Sequence, residues 1–372
     1  MKVLIIAGAR PNFMKIAPLI KALEQHNAAK SGPLVDWRLV HTGQHYDAKM
    51  SDIFFGELGI PAPHINLNVG SGTQASQTAN IMTAFEPVCV KERPDWIVVV
   101  GDVNSTVACA LVAAKLGVKV AHLEAGLRSY DRTMPEEINR VLTDAVSDLL
   151  LTPSEDANEN LRREGLAEHK IKLVGNIMID ALVANLERAR ERNTSGNLGI
   201  KDDSFAYVTL HRPSNVDQKE TLGPLMGELI ELSHRIDVVF PMHPRTRKMI
   251  SELQIPIGNG SRLRIVEPIG YHDSLFLAER ARFVLTDSGG LQEETTFLRT
   301  PCLTLRPNTE RPVTVTIGTN RLTSLGTLRS DIEQTLNSTN RRGEIPPFWD
   351  GHTAQRVVRE LIASETAHHG KR

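Results

Sequence analysis

Short apolar runs rich in β-branched residues alternate with longer segments of helical periodicity along most of the chain. VLIIAG at 3–8 and WRLVHTG at 37–43 have the composition of buried strands, and residues 16–24 carry apolar side chains at helical spacing. Strands that alternate with helices in this way are typical of parallel sheets built from βαβ units. The sequence therefore predicts an α/β fold.

The alternation occurs in two series, which predicts two doubly wound, Rossmann-like domains. The length of 372 residues agrees with this, because a domain takes on the order of 150 residues. We place the first domain at 1–175 and the second at 176–352, and we expect a helix at about 353–368 to pack back on the first. The remaining predicted strands are 96–102, 118–126, 149–154, 206–212, 237–244, 262–268 and 301–306, and 282–290 is predicted to be a strand followed by a turn. The remaining predicted helices are 72–92, 105–117, one from Pro135, and 221–235, 272–281 and 291–299.

The charge and hydropathy patterns exclude two classes of partner. Lys and Arg number 43 and Asp and Glu number 44, so the chain lacks the basic excess that a nucleic-acid backbone requires. The longest apolar run is 107–114, whereas a membrane span needs roughly 20 residues. We therefore expect neither a nucleic-acid partner nor a membrane partner.

The N-terminus and the cysteines favour a cytoplasmic protein. The apolar stretch in MKVLIIAGARP (1–11) ends too early for a secretory signal peptide. Cys89, Cys109 and Cys302 are odd in number and widely spaced, so a disulfide framework is not expected. They also lack the CxxC spacing of thiolate zinc sites.

The segment TDSGGLQEE (286–294) is the strongest candidate for a binding site, because a predicted strand ends there and a helix begins. The free N–H groups of Ser288, Gly289 and Gly290 could face a phosphate at the positive end of the helix dipole. Glu293 or Glu294 could accept hydrogen bonds from ribose hydroxyls. A simple capped helix with Ser288 at the N-cap is the structural alternative, but the two glycines favour the close approach of a ligand.

Two cations follow the first predicted strand in GARPNFMK (8–15). Arg10 and Lys15 lie near a predicted helix N-terminus, which is an unfavourable position for a cation unless an anion binds there. The segment has a single glycine and does not match GxGxxG. The sequence therefore indicates an anion site and no nicotinamide dinucleotide.

Three carboxylates in the first domain are candidates for acid–base chemistry. Asp102 and Glu124 follow predicted strands, and Glu136 lies in a loop that leads into a helix. Carboxylates that converge push their pKa values apart, which supplies an acid and a base. Asp102 and Glu136 also suit helix N-termini, whereas Glu124 has no helix to cap.

Four histidines lie near the ends of predicted strands: His45, His122, His211 and His243. No HExxH or comparable cluster accompanies them, so we expect no metal site. His211, beside Arg212, suits an anion contact or an acid–base step.

Taken together, these segments resemble the non-hydrolysing UDP-N-acetylglucosamine 2-epimerases. The similarity runs from residue 1 to about residue 360. It rests on GARPNFMKIAPL (8–19), HTGQHYDAKM (41–50), GDVNST (101–106), HLEAGLRS (122–129), MPEEINR (134–140), VGNIMID (174–180), LHRPSNVD (210–217), PMHPRT (241–246), TDSGGLQEE (286–294) and NTERPVTV (308–315).

The resemblance implies a GT-B-type architecture with the active site in the cleft between the domains, a homodimer, and no metal or NAD. It implies reversible C2 epimerisation of UDP-N-acetylglucosamine to UDP-N-acetylmannosamine, by elimination and re-addition of UDP through a 2-acetamidoglucal intermediate. The implied catalytic residues are Lys15, Asp102, Glu124, Glu136, His211 and Arg311. The residues expected to contact UDP and its phosphates are Arg10, His211, His243, Ser288, Gly289, Gly290 and Glu294. Gln44 and His45 match part of a segment through which some relatives bind an activating UDP-sugar.

Several alternatives stay open at this point. Ala9 and Asn12 stand where the family often has Thr and Glu, and GARP is also typical of relatives that act on UDP-2,3-diacetamido-hexuronic acids. Those relatives tend to lose the elements present here at 292–294 and 309–312, and Val313 replaces a Glu that is usual in the family. A GT-B-type glycosyltransferase, a hydrolysing epimerase or a non-catalytic UDP-sugar sensor would share the nucleotide site. The filled catalytic positions disfavour the sensor, and a glycosyltransferase would not need Glu124 and Glu136; the epimerase is our first hypothesis.

Overall fold

A computed structural model describes residues 1–30, 32–43, 59–202, 204–257, 262–338 and 343–369. The chain divides into two units, one of Met1–Ala181 with Pro347–Arg372 and the other of Leu182–Pro346. Each unit contains one parallel sheet with helices on both faces. The predicted α/β fold with two doubly wound sheets is confirmed.

The first sheet has seven parallel strands in the order β3-β2-β1-β4-β5-β6-β7. The strands are β1 (Lys2–Ala7), β2 (Asp36–His41), β3 (Ile65–Asn66), β4 (Trp96–Val100), β5 (Lys119–Leu123), β6 (Leu149–Thr152) and β7 (Ile171–Leu173). Its helices are α1 (Arg10–Ala29), α2 (Gln74–Glu92), α3 (Asn104–Lys115), α4 (Pro135–Val146), α5 (Glu155–Arg163), α6 (Ile177–Arg190), which continues into the second unit, and α15 (Thr353–His369), with a 3₁₀ turn at Glu168–Lys170.

Alternation along β1 divides the core of the first unit into two layers. Val3 and Ile5 pack in a cluster with apolar side chains of α1 and α15. Leu4 and Ile6 pack on the opposite face with apolar side chains of α2 and α3. Because both faces of the sheet are covered, its central strands are continuous apolar runs, which is why the sequence shows them clearly.

The second sheet has six parallel strands in the order β10-β9-β8-β11-β12-β13. The strands are β8 (Phe205–Thr209), β9 (Asp237–Pro241), β10 (Leu263–Val266), β11 (Phe283–Thr286), β12 (Cys302–Leu305) and β13 (Asn320–Thr323). The helices are α7 (Thr194–Asn197), α8 (Pro213–Val216), α9 (Lys219–Ser233), α10 (Pro244–Glu252), α11 (Tyr271–Arg280), α12 (Gly289–Leu298), α13 (Val313–Thr316) and α14 (Leu328–Asn337).

Both sheets reverse their strand order at a single point. In the first sheet β1 pairs with β4, and in the second β8 pairs with β11. At such a switch point the loops from neighbouring strands diverge and leave a crevice at the carboxyl ends. The segments that follow β1 and β4, and those that follow β8 and β11, contain most of the candidate site residues.

The last residues before the second unit and the first residues after it both belong to the first unit, and they contact each other. The Asp180 carboxylate accepts hydrogen bonds from the backbone N–H groups of Thr353 and Ala354, at 3.0 and 2.7 Å, and so caps α15. The Trp349 indole donates to the carbonyl of Pro153 at 3.0 Å. The units therefore divide after Ala181 and before Pro347, whereas the sequence placed the boundaries at 175 and 352.

The sequence passed over three strands, and all three are short. β3, β7 and β13 lie at the edges of their sheets, and their side chains are partly exposed. An edge strand of this kind lacks the long apolar run of a strand that is covered on both faces. Helices α5, α6, α10 and α14 were also not predicted. Of these, α5, α10 and α14 are only 9 or 10 residues long and consist largely of polar residues.

Within the described part of the chain, none of the helices has the length and apolar character needed to cross a bilayer. The thiols of Cys89, Cys109 and Cys302 are buried and free.

The close approach of α3 to the first loop predicts that Gly8→Ala is destabilising. A Cβ at Gly8 would lie 2.1 Å from Ser105 Oγ and 2.5 Å from Ser105 Cβ. Overpacking of this kind typically costs about 1–3 kcal/mol. Gly223→Ala is the matched control, since Gly223 is inside α9 with open space around its Cβ position. That change should stabilise the helix by about 0.5–1 kcal/mol. Equal urea midpoints for the two variants would contradict the packing at Gly8.

Candidate functional site

Lys15 and Glu124 form a buried ion pair at the switch point of the first sheet. Lys15 lies on the second turn of α1 and Glu124 directly follows β5. The Lys15 Nζ donates to Glu124 Oε2, and the two residues are only 8% and 5% exposed. Glu124 Oε1 is buried and has no hydrogen-bond partner among the described residues. A carboxylate oxygen that is desolvated and unpaired is poised to accept a proton or a hydrogen bond.

The backbone around this pair adopts unusual conformations. Glu124 has φ +73°, a left-handed value that costs a non-glycine residue energy. Gly101 has φ +68°, and a Cβ there would lie 3.1 Å from Lys15 Nζ and 3.5 Å from Glu124 Oε2. The glycine after β4 therefore leaves the space that the ion pair occupies.

Asn12 connects the first loop to the neighbouring strand. Its side-chain oxygen accepts from the N–H groups of Gly8 and Ala9 at 3.1 and 3.0 Å, and its amide donates to the Val100 carbonyl at 3.0 Å. Asn12 is also almost fully buried. The Asn that departs from the residue usual in the resembling family thus braces the loop that leads into α1.

Asp102 lies in a separate ionic cluster that involves α4. Arg140 forms an ion pair with Asp102 at 2.5 Å and with Glu137 at 2.7 Å. Glu137 also accepts from the backbone N–H groups of Ser129 and Tyr130, each at 2.9 Å. Burial raises the pKa of Glu137, but these hydrogen bonds and Arg140 outweigh it and hold the pKa below its ordinary value. Glu137 therefore remains a charged anchor for the loop before α4.

Glu136, the adjacent residue in the first turn of α4, is half-buried. Its carboxylate forms no hydrogen bond or ion pair with any residue that the structure describes. The structure therefore brings Glu124 together with Lys15, and Asp102 with Arg140, while the role expected of Glu136 stays a prediction.

In the second unit, Asp287 orients His211. Asp287 follows β11, is fully buried, and lies 2.9 Å from His211 Nδ1. It also accepts hydrogen bonds from the backbone N–H groups of His211 and Arg212 and from the Asn215 amide. Burial raises the pKa of Asp287, but its partners, with His211 first, hold the pKa below its ordinary value. Because 59% of the His211 side chain is exposed, the ring presents Nε2 while the carboxylate holds Nδ1.

The N-terminus of α12 follows Asp287 directly. Ser288 occupies the N-cap position, but its side chain makes no capping hydrogen bond. A Cβ at Gly289 would lie 2.8 Å from an Arg311 nitrogen and 3.0 Å from Glu310 Oε1. The predicted helix start is confirmed, and the absence of a side-chain cap leaves backbone donors for an anion.

Arg311 belongs to a buried chain of alternating charges beside Gly289. Its guanidinium lies 2.7 Å from Glu293 and also donates to Glu310, which in turn binds Arg306 at 2.8 Å. Two guanidinium groups and two carboxylates thus offset each other's charge. This cluster holds Arg311 in place next to the start of α12, and it engages Glu293, which was one of two candidates for a ribose contact.

Glu294 is the other candidate, and its ionisation is perturbed. Burial raises its pKa to about 7, against the opposing effect of the nearby Tyr271 phenol and with a further increase from Glu293. A carboxyl group of this kind ionises near neutrality, so a ligand that donates hydrogen bonds to its charged form would bind more tightly above that pH.

The remaining candidates are placed only in part. His243 is the exposed N-cap of α10, and its Nδ1 accepts from the Arg245 N–H at 3.2 Å. Arg10 begins α1, but its side chain lies outside what the structure describes. Gln44 and His45, the candidates for an activator contact, also lie outside the described residues.

Comparison with known proteins identifies the family. The family model for UDP-N-acetylglucosamine 2-epimerase matches residues 27–362. The UDP-N-acetylglucosamine 2-epimerase of Methanocaldococcus jannaschii is 45% identical over 370 residues, which cover 97% of this chain and 99% of that protein. The chain belongs to the UDP-N-acetylglucosamine 2-epimerase family.

A solved structure matches the fold of this chain, and one relative is named for a different UDP-sugar. The crystal structure of the M. jannaschii enzyme in complex with UDP-GlcNAc and UDP matches with a TM-score of 0.85 at 44% identity, covering 97% of this chain and 99% of that one. A family relative from Pseudomonas aeruginosa, UDP-2,3-diacetamido-2,3-dideoxy-D-glucuronate 2-epimerase, is 42% identical and covers 87% of this chain and 88% of its own length. The epimerase family therefore includes relatives named for two different UDP-sugars.

From the sequence alone, no site role was assigned to several residues that hold the candidate residues of each unit in place. They are Asp287, Glu310, Arg306, Arg140, Glu137 and the pair His122 and Asp144, described below. Asp287 stands directly after a predicted strand and before Ser288, so its position was a usable signal. Arg140 and Asp144 lie on the helix that follows Pro135, and nothing in their local sequence shows which strand end they contact. Within the described ranges, no three His, Cys, Asp or Glu side chains are grouped so as to hold a metal ion.

The raised pKa of Glu294 predicts a pH-dependent cost to stability. The folded protein binds this proton more tightly than the unfolded chain, so the free energy of unfolding falls as pH rises from about 4.5 to about 7. Glu294→Gln removes that dependence and should be more stable than wild type at pH 8, by up to about 3 kcal/mol. The two proteins should converge towards pH 4.5.

The measurement is the urea midpoint of each protein at both pH values. Glu252→Gln, which alters an exposed residue of α10, is the control and should show no such pattern. If the difference in stability between wild type and Glu294→Gln is the same at both pH values, Glu294 does not have the raised pKa that burial predicts.

Proposed function

We propose that this protein interconverts UDP-N-acetylglucosamine and UDP-N-acetylmannosamine. The reaction eliminates UDP to form 2-acetamidoglucal and then adds UDP back, with opposite configuration at C2. The observation that carries this proposal is the buried Lys15–Glu124 pair, in which Glu124 keeps one carboxylate oxygen without a hydrogen-bond partner among the described residues. Membership of the family supports it.

The second unit binds the nucleotide in this proposal. The backbone N–H groups at the start of α12 and the guanidinium of Arg311 stabilise the diphosphate, whose charge increases as the bond to C1 breaks. Glu294 accepts hydrogen bonds from the ribose hydroxyls. His211, with Nδ1 held by Asp287, offers Nε2 to the departing phosphate.

The first unit supplies the groups that act on the sugar. The C2–H is not adjacent to a carbonyl, so its removal needs the positive charge that develops at C1 when UDP leaves. Glu124 takes part in proton transfer at C2, and the Lys15 ammonium stabilises its charged form. Protonation of the glucal on the other face needs a second acid, for which Asp102, with 29% of its side chain exposed, is a candidate.

The proposed reaction is an elimination followed by an addition, and substrate and product have the same oxidation state. Neither step transfers a hydride, and Arg311, His211 and the N–H groups at the start of α12 supply the positive charge at the diphosphate, so we propose that the reaction uses neither NAD nor a metal. Arg10 is assigned to the phosphates and His243 to the nucleotide in the same proposal, on the strength of the family pattern at those positions.

A related UDP-sugar is the second candidate substrate. The P. aeruginosa relative named for UDP-2,3-diacetamido-2,3-dideoxy-D-glucuronate is 42% identical to this chain. The GARP segment at 8–11 favours the same substrate class. Such a sugar would undergo the same elimination and addition at C2.

A homodimer is the assembly we propose. Four apolar side chains on the helices of the first unit and the turns that follow them are at least 38% exposed: Val90, Leu116, Val141 and Leu142. Apolar surface of this kind is consistent with a subunit interface. Light scattering coupled to size-exclusion chromatography would distinguish a dimer of about 82 kDa from the 41.1 kDa monomer.

Incubation with UDP-GlcNAc in D₂O tests the proposed function. We expect UDP-ManNAc to appear and the C2 proton signal to be lost from both sugars, because solvent deuterium replaces the proton removed at C2. Proton NMR follows both changes. Free UDP together with free ManNAc would contradict the non-hydrolysing reaction. No exchange with UDP-GlcNAc but exchange with the diacetamido-hexuronic acid would favour the second candidate.

Glu124→Gln should retain UDP binding and lose at least about 100-fold in turnover, because the amide cannot accept the proton. Isothermal calorimetry with UDP and the NMR assay measure the two properties. Glu86→Gln, on the exposed face of α2, is the matched control and should keep both. Turnover in Glu124→Gln equal to that of the control would remove Glu124 from the mechanism.

A further inference from the structure

His122 and Asp144 form a buried pair directly behind Glu124. Both are fully buried. His122 is two residues before Glu124 on β5, and Asp144 lies on α4. Asp144 Oδ1 is 2.6 Å from His122 Nδ1, and Asp144 Oδ2 accepts from the Gly126 N–H at 3.0 Å. The Asp144 carboxylate therefore contacts the chain on both sides of Glu124, at the His122 ring and at the Gly126 N–H.

The two contacts of Asp144 lie on either side of a segment with strained backbone conformation. Glu124 and Gly126 have φ of +73° and +81°. The N–H groups of Glu124 and Ala125 share a single acceptor, the carbonyl of Leu151, at 3.1 Å each. The regular hydrogen-bond ladder of β5 ends here, so side-chain contacts must hold a conformation that the ladder does not enforce.

The other nitrogen of His122 also faces an acceptor. His122 Nε2 lies 2.9 Å from the carbonyl oxygen of Gly101. A neutral imidazole carries one N–H, whereas two acceptors require a proton on each nitrogen. The contacts of His122 therefore indicate an imidazolium. Its Gly101 contact adjoins the space that the Lys15–Glu124 pair occupies.

The surroundings compensate the charge of this imidazolium. Arg128 lies 2.7 Å from Asp144 and forms two hydrogen bonds with Glu164, at 2.7 and 2.6 Å. Two cations and two carboxylates thus balance. Burial raises the pKa of Asp144, but His122 and Arg128 outweigh burial and hold the pKa below its ordinary value. Lys15 and Glu124 are the charged groups on the other side of Gly101, and they neutralise each other.

We propose that His122 and Asp144 are positioning residues for Glu124. Asp144 fixes the backbone on both sides of Glu124, and a doubly protonated His122 holds the carbonyl of Gly101 next to the Lys15–Glu124 pair. Neither residue touches the substrate. The proposal rests on the proposed function, because it assigns the purpose of this buried pair to proton transfer by Glu124.

Two substitutions of His122 each keep one of its two hydrogen bonds and remove the other. The amide of His122→Asn can replace Nδ1 and donate to Asp144, whereas the amide of His122→Gln can replace Nε2 and donate to Gly101. Each variant loses one attachment and the positive charge. We expect kcat for C2 epimerisation to fall by roughly 100-fold in each, since a small displacement of a catalytic group has an effect of that size. KM and the Kd of UDP should stay within about threefold of wild type.

The control is His169→Asn, which alters an exposed histidine of the same unit and should leave kcat unchanged. Circular dichroism at the assay temperature establishes that each variant is folded. Folded His122 variants with wild-type kcat would overturn the positioning role. An equal loss of UDP affinity and kcat would also overturn it, because that pattern indicates general damage. A wild-type protein with no C2 exchange would instead contradict the proposed function.

The protonation state of His122 is measured independently of activity. Nitrogen-15 NMR of wild-type protein labelled at its 13 histidines should show one ring in which both nitrogens carry protons that exchange slowly with solvent, as the two buried contacts of His122 require. The spectrum of His122→Asn assigns the signal, or through-bond correlations do so if that variant does not fold. A His122 ring with one unprotonated nitrogen would refute the imidazolium and with it the proposal.

Discussion

A buried lysine–glutamate ion pair at the crossover of the first sheet is the interaction on which the architecture of the first unit's site depends. Burying two charges costs several kcal/mol that their attraction recovers only in good geometry. Two features support the geometry of this ion pair. Gly101 leaves the space that Lys15 and Glu124 occupy, and the buried His122–Asp144 pair holds the neighbouring backbone. Such an ion pair contributes little to stability, and its geometry leaves Glu124 Oε1 buried without a hydrogen-bond partner among the described residues.

The two units use the same topological feature for different chemistry. In the first, the strands at the switch point end in groups that accept and hold protons. In the second, they end in the N-terminus of α12 and in Asp287, which orients His211. In the proposed function the first unit acts on the sugar carbon and the second holds the diphosphate, although both are parallel sheets with helices on either face. Their strand ends, and not their folds, account for the difference.

A buried ionic cluster supports the candidate site residues in each of the two units. Arg140 bridges Asp102 and Glu137, and Arg311 bridges Glu293 and Glu310. In each case a guanidinium satisfies two carboxylates in fixed geometry, which a lysine ammonium could not do as well. The candidate catalytic residues Asp102 and Arg311 are therefore held in place by ion pairs that only the tertiary structure shows.

The sequence by itself determined the α/β class, the main strands and helices, and the residues at the strand ends, because buried parallel strands are apolar runs that stop abruptly at polar residues. Only the tertiary structure decided the strand order, and with it which loops become neighbours. Lys15 and Glu124 are separated by 109 positions in the chain, and His211 and Asp287 by 76. Contacts across such distances depend on how strands pair and helices cross, which local periodicity does not encode.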